Sequence, residues 1–205
     1  MGIVIKQSFW VTVVGYAGFV IGYINSLVLY PYFMTPKQIG IVRTILSMAL
    51  LIAPVIALGT SNLSQRYYQR LKKNKNKVTS LFLFMLTGTA LGSIIFIFLW
   101  IIFKDSVFEI YKSGSSELVD YSHIIFIITL IMGTYYSLEV WCKAHLNTIF
   151  PNLIKDVFLR ITISFMVVGV GLSWWAFAEG LNLLIYIYMV SLLVLVCYQI
   201  KKNIS

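Results

Sequence analysis

The chain holds two histidines, His123 and His145, and two cysteines, Cys142 and Cys197, in 205 residues. None stands in a spacing that binds metal or activates a nucleophile. There is no His-Glu-x-x-His, no Gly-x-Ser-x-Gly, no pair of intramembrane aspartates and no glycine-rich phosphate loop. An enzyme is therefore not expected, and no metal or other cofactor is implied. What remains are polar and ionisable residues set inside long apolar stretches, where a charge is costly enough to mark function by default. Arg43 is the foremost, with Ser47 one helical turn deeper on the same face. Its ordinary reading is an arginine that lays its stem along apolar surface and lifts its head to the interface. Glu139 and Lys143, spaced i and i+4, can neutralise each other as a structural pair, or Glu139 can serve ion coupling. Asn25 with Tyr16 and Tyr23, and Tyr135 with Tyr136, are candidates to line a polar cavity, the tyrosines having packing as their ordinary role.

Six stretches free of Asp, Glu, Lys and Arg position these residues: between Lys6 and Lys37, Arg43 and Arg66, Lys77 and Lys104, Asp120 and Glu139, Arg160 and Glu179, and from Gly180 to Ile200. Each can cross a hydrocarbon core of roughly 30 Å as a helix of about 20 residues. Helices are expected because lipid offers a free backbone amide no partner. Composition agrees, with 60% hydrophobic and 11% charged residues, against about 25% charged in soluble domains. The expected fold is all-α: a polytopic integral membrane protein, one lobe of six transmembrane helices at residues 9–30, 36–60, 78–103, 121–141, 157–177 and 181–200, with no soluble domain.

The second helix has the clearest start. Thr35 as N-cap, Pro36 at the first helical position and Gln38 three after the cap form a capping box. Pro54 then falls inside that helix, where it removes a hydrogen bond and is expected to kink it, a candidate gating point. Gly18-xxx-Gly22 and Gly88-xxx-Gly92 have the spacing of close helix contacts. Residues 65–77 read as a polar, basic connection, residues 104–120 as the longest loop, with Gly114 and its serines a mobile surface segment, and Asp156 with Arg160 as a solvated pair at the mouth of the fifth helix. The five tryptophans, Trp10, Trp100, Trp141, Trp174 and Trp175, fall near helix ends, where interfacial aromatics belong.

The net charge of +9 is not a nucleic-acid signature, because of where it lies. Most of the 16 basic residues, including the run Arg66, Arg70, Lys72, Lys73, Lys75 and Lys77, fall in alternate gaps between the helices. By the positive-inside rule those gaps, and with them both termini, are cytoplasmic.

Taken in order, several short patterns resemble the N-terminal lobe of a bacterial polysaccharide-biosynthesis flippase of the O-antigen type, in the multidrug, oligosaccharidyl-lipid and polysaccharide exporter superfamily. They are Lys6-Gln7-Ser8-Phe9-Trp10 at the start, Met34-Thr35-Pro36-Lys37-Gln38-Ile39-Gly40 opening the second helix, Leu58-Gly59-Thr60-Ser61 before the basic run, and Ala144-His145-Leu146-Asn147-Thr148 with Pro151 before the fifth helix. The resemblance implies a multi-pass protein of the bacterial cytoplasmic membrane that moves a polyprenyl-diphosphate-linked glycan by alternating access between two six-helix lobes. It also implies a cationic cavity for the sugar diphosphate, with the polyprenyl tail left in membrane lipid. Arg43 is the position that would supply the cation, with Ser47, Asn25 and Tyr23 as further substrate contacts. A second lobe, fused or contributed by another subunit, is then the expected partner, since the chain ends after its sixth apolar stretch. The alternative from a different class is a non-transporting membrane subunit that scaffolds glycan-assembly enzymes.

Overall fold

The computed structural model describes residues 2–112 and 118–204, apart from the side chains of residues 3, 4, 105, 107, 108, 110–112 and 202–204. Among the described residues there is no strand. Helix α1 (Gly2–Ile24) runs through a π-helical turn, Asn25–Leu29, into α2 (Tyr30–Phe33). There follow α3 (Pro36–Ile56), α4 (Thr60–Leu71), α5 (Lys75–Lys112) and α6 (Ser122–Ala144). A second continuous helical path joins α7 (Ile149–Asn152), a π-helical segment Leu153–Phe158 and α8 (Leu159–Gly171), and α9 (Phe177–Ile204) completes the described chain.

Five helical stretches are long and apolar enough to cross a membrane: Ile5–Phe33, Pro36–Ile56, Lys75–Lys104, Ser122–Ala144 and Phe177–Lys201. The chain therefore has the helices of a multi-pass membrane protein. The span expected at residues 157–177 differs. Helix α8 ends at Gly171, and its 13 residues reach only about 20 Å. It gains membrane length only by joining the π-helical segment, which brings Lys155 and Asp156, while α8 itself holds Arg160. The second expected helix also stops early, at Ile56 rather than residue 60, so Pro54 lies in its last turn and not in its middle. Leu58 (φ +48°) and Gly59 (φ +69°) then turn the chain in the left-handed region, which Gly tolerates and a branched side chain resists. The loop expected from Lys104 is helical through Lys112, and Gly114 with its neighbouring serines lies outside the described residues.

Helix starts follow local chemistry. The Gln38 N–H donates to Thr35 Oγ1 at 3.4 Å and the Thr35 N–H donates to Gln38 Oε1 at 2.9 Å, so the capping box forms. Asn74 caps α5, its Oδ1 accepting from the amides of Asn76 and Lys77 at 3.1 and 3.3 Å. Glu179 reaches back to the Ala176 amide at 3.0 Å at the start of α9.

The chain divides into two compact units, Met1–Val42 with His145–Ser205, and Arg43–Ala144. In the first, α1 and α2 pack on the α7–α8 path, and α8 packs on α9. Phe150 stacks on Tyr198 with centroids 3.9 Å apart, and Asn147 Nδ2 donates to the Tyr198 hydroxyl at 2.9 Å, tying α9 to the turn before α7. In the second unit the first part of the basic connection, with Arg66 and Arg70, is not a loop but the end of the amphipathic helix α4, packed on α5 and α6, while Lys72 and Lys73 lie in the turn that follows and Lys75 and Lys77 open α5. The small α4 residues Ser61 and Ser64 are buried, while Arg66, Tyr67 and Arg70 are exposed. Gln69 Nε2 donates to the Ala144 carbonyl at 3.1 Å, satisfying one of the acceptors that a helix end leaves open. Trp141, expected at an interface, is instead core: it is 3% exposed, with Tyr68 and Phe82 packed around it. If α5 crosses the bilayer as its Lys75–Lys104 stretch allows, cysteines replacing Lys73 and Glu109 should react with an impermeant maleimide from opposite faces of the membrane. Labelling of both from one face contradicts the crossing.

Candidate functional site

A polar cluster forms in the first unit where α1 meets α8. The Arg160 guanidinium donates from Nη1 to the Gly18 carbonyl at 2.7 Å. Asn25 is buried, and its Nδ2 donates to the Arg160 carbonyl at 3.1 Å, while its Oδ1 accepts from the Ser164 hydroxyl at 2.6 Å. The glycines explain how helices come close enough for this. A Cβ at Gly18 would sit 2.5 Å from the Asp156 carbonyl, and one at Gly22 would collide with the Arg160 guanidinium. Gly18, Gly22 and Asn25 thus make one face of α1, and Asp156, Arg160 and Ser164 the face that meets it. Arg160 is held by a backbone carbonyl of α1 rather than by the Asp156 carboxylate, so the solvated pair expected at the mouth of this helix gives way to an interhelical contact. Both π-helical segments lie at this junction, Asn25–Leu29 on one side and Leu153–Phe158 on the other, and such widened turns recur where a helix serves function.

Arg43 and Ser47 belong to the second unit. They lie one turn apart on the exposed side of α3, whereas Ile45, Ala49 and Ala53 make its buried side. Pro54 continues the exposed side. Arg43 stands about 10 Å along the helix axis from Pro36, which places a guanidinium well inside a stretch of membrane-spanning length. Tyr23 and Tyr16, by contrast, are 57% and 69% exposed on α1. Tyr23 does not join Asn25, whose polar atoms are engaged with Arg160 and Ser164.

Glu139 and Lys143 form the ion pair that their spacing promises, Nζ to Oε1 at 2.6 Å, with Glu139 3% and Lys143 33% exposed. The partly exposed ammonium thus sits against a buried carboxylate at the end of α6. Two residues before Glu139, the Ser137 hydroxyl shares a buried hydrogen bond of 2.8 Å with the Thr89 hydroxyl that joins α5 to α6. Tyr135 is buried, and the Tyr136 hydroxyl donates to Asn62 Oδ1 of α4 at 3.4 Å. Among the described residues no three His, Cys, Asp or Glu side chains stand close enough to hold a metal ion. The contact that sequence spacing missed is Arg160 with Ser164 against Asn25. Its signal was present in the i, i+4 pair on one helix and the glycine face ending in Asn25 on the other.

Compared with known proteins, the chain matches no protein-family model, no curated protein and no solved structure.

Interhelical hydrogen bonds within membranes average roughly 0.6 kcal/mol each. Asn25→Leu removes two, so it should lower stability by about 1 kcal/mol, or about 2–4 °C in the thermal midpoint of a chain this size in detergent. Tyr23→Leu, at an exposed position, should leave the midpoint unchanged. Equal midpoints for all three proteins would mean that the Asn25 bonds contribute nothing.

Proposed function

We propose that the chain is a lobe of a membrane carrier that moves a polyprenyl-diphosphate-linked glycan across the cytoplasmic membrane of a bacterium. The observation that carries this reading is the face of α3 on which Arg43 and Ser47 are exposed together, a cation and a hydroxyl at membrane depth on the side turned away from Ile45, Ala49 and Ala53. Hydrocarbon is a poor solvent for that face, and a water-filled or substrate-filled path is a good one. A guanidinium offers a planar fork of donors that matches phosphate oxygens two at a time, and Ser47 adds a hydroxyl one turn deeper. A diphosphate would be gripped here while its isoprenoid tail stays among the lipid chains.

In this reading the chain does no chemistry on its cargo. It has both termini in the cytoplasm, and the helical path through α7 and α8 completes the sixth crossing. A carrier of this kind works by rocking two bodies around a site between them, so activity requires a second lobe, fused or supplied by another subunit. The polar patterns at the start of the chain, at the capping box and before α4 support the same class of protein through their resemblance to the flippase lobe.

The test is glycan export by cells that depend on this protein. Arg43→Ala should abolish export at normal protein abundance, whereas Arg43→Lys should retain part of it, because the charge survives and the bidentate fork does not. Normal export by both variants would remove Arg43 from substrate binding.

A further inference from the structure

The second unit holds a groove that none of the residues above uses. Helices α3 and α5 meet at Gly92, where a Cβ would collide with the Ile56 carbonyl. From that contact toward Lys104 they leave an open channel of about 300 Å³. Ile52 and Val55 of α3 and Ile95, Leu99 and Phe103 of α5 line it, and among the described residues Lys104 is the one charged group in its wall. Several of these apolar side chains are exposed, Val55 at 66% and Phe103 at 53%. Both helices are of membrane-spanning length, and Lys104 is the residue at which the apolar part of α5 ends.

Geometry and charge together restrict what fills the channel. From Gly92 to Lys104 the α5 axis rises about 18 Å, close to the roughly 15 Å that one leaflet contributes to the hydrocarbon core. A volume of this size accommodates an extended hydrocarbon chain, whereas a helix, about 10–12 Å across with its side chains, would lie over the channel and not within it. At the membrane-boundary end the Lys104 ammonium sits where a lipid headgroup lies, and an ammonium there attracts anionic lipids. We propose that this groove binds an anionic phospholipid, one acyl chain lying between α3 and α5 down to Gly92 and the phosphate resting on Lys104. Such a lipid is a bound companion of the fold, filling the gap that α3 and α5 leave open, and its binding does not depend on the carrier reading.

The experiment is lipid retention. The chain is reconstituted in bilayers of equal phosphatidylglycerol and phosphatidylcholine, extracted in mild detergent, and its co-purified lipid counted by mass spectrometry. The expected result is about one phosphatidylglycerol per chain, in clear excess over phosphatidylcholine. Lys104→Glu should reduce phosphatidylglycerol retention roughly thirtyfold, the size expected when a charge at a membrane surface changes by two units. Leu99→Trp, which fills the channel from a position already 45% exposed, should reduce retention of both lipids with the helical circular dichroism intact. Equal retention of the two lipids, or retention unmoved by Lys104→Glu, overturns the proposal. A two-chain mass that Leu99→Trp returns to one chain would give the groove to a second copy and overturn it equally.

Discussion

Hydrocarbon supplies no hydrogen-bond partners, so each polar group at membrane depth must find its partner within the protein. The contact of the Arg160 guanidinium with the Gly18 carbonyl is the clearest consequence. It goes with an approach so close that a Cβ at position 18 would meet the Asp156 backbone and one at position 22 would displace the Arg160 guanidinium. It sets Arg160 beside Asn25, which in turn engages Ser164. The second unit meets the same constraint with other groups: Glu139 with Lys143, Thr89 with Ser137, and Gln69 with the open carbonyl of Ala144. Arg43 and Ser47 face outward from the packed side of their helix. That exposure is what carries the functional reading.

Glycine lets helices in both units approach closely. Gly88 receives Thr60, whose hydroxyl donates to the Ala57 carbonyl at 2.8 Å, and Gly92 receives the Ile56 carbonyl. Helix α4 can therefore lie against α5 through its serines and threonine while turning its arginines outward. Close backbone approach acts beside the burial of large side chains such as Ile45, Met85, Ile125 and Met166, as expected where lipid and protein interior are equally apolar and packing must decide association.

Much of this was legible in the sequence because it rests on local spacing. The capping box at Thr35 and Gln38, the Glu139–Lys143 pair and the two glycine stripes each involve residues within a turn or two, and each forms. The features that escaped depend on long-range packing. Charge density in the basic run masked an amphipathic helix whose small buried face becomes visible only against α5 and α6. Trp141 lies near a helix end, as interfacial tryptophans do, yet Tyr68 and Phe82 enclose it. The two π-helical segments carry no residue signature, and at the early end of α8 Trp175 and Phe33 pack on Gly169 and Gly171. The partners of Asn25 lie 135 and 139 residues further along the chain and could not be named from its own neighbourhood.

The central claim is that the Arg43 and Ser47 face of α3 borders an aqueous, diphosphate-binding path rather than lipid. The most direct measurement is the reactivity of Ser47→Cys, on a background with Cys142 and Cys197 replaced, toward a charged, membrane-impermeant thiol reagent. Leu91→Cys, exposed at mid-length on α5, serves as the lipid-facing reference. The account predicts that Ser47→Cys reacts readily, that Leu91→Cys does not, and that a polyprenyl-diphosphate sugar slows the reaction at Ser47→Cys alone. A Ser47→Cys as inert as Leu91→Cys, or one whose reaction the glycolipid leaves unchanged, would contradict it.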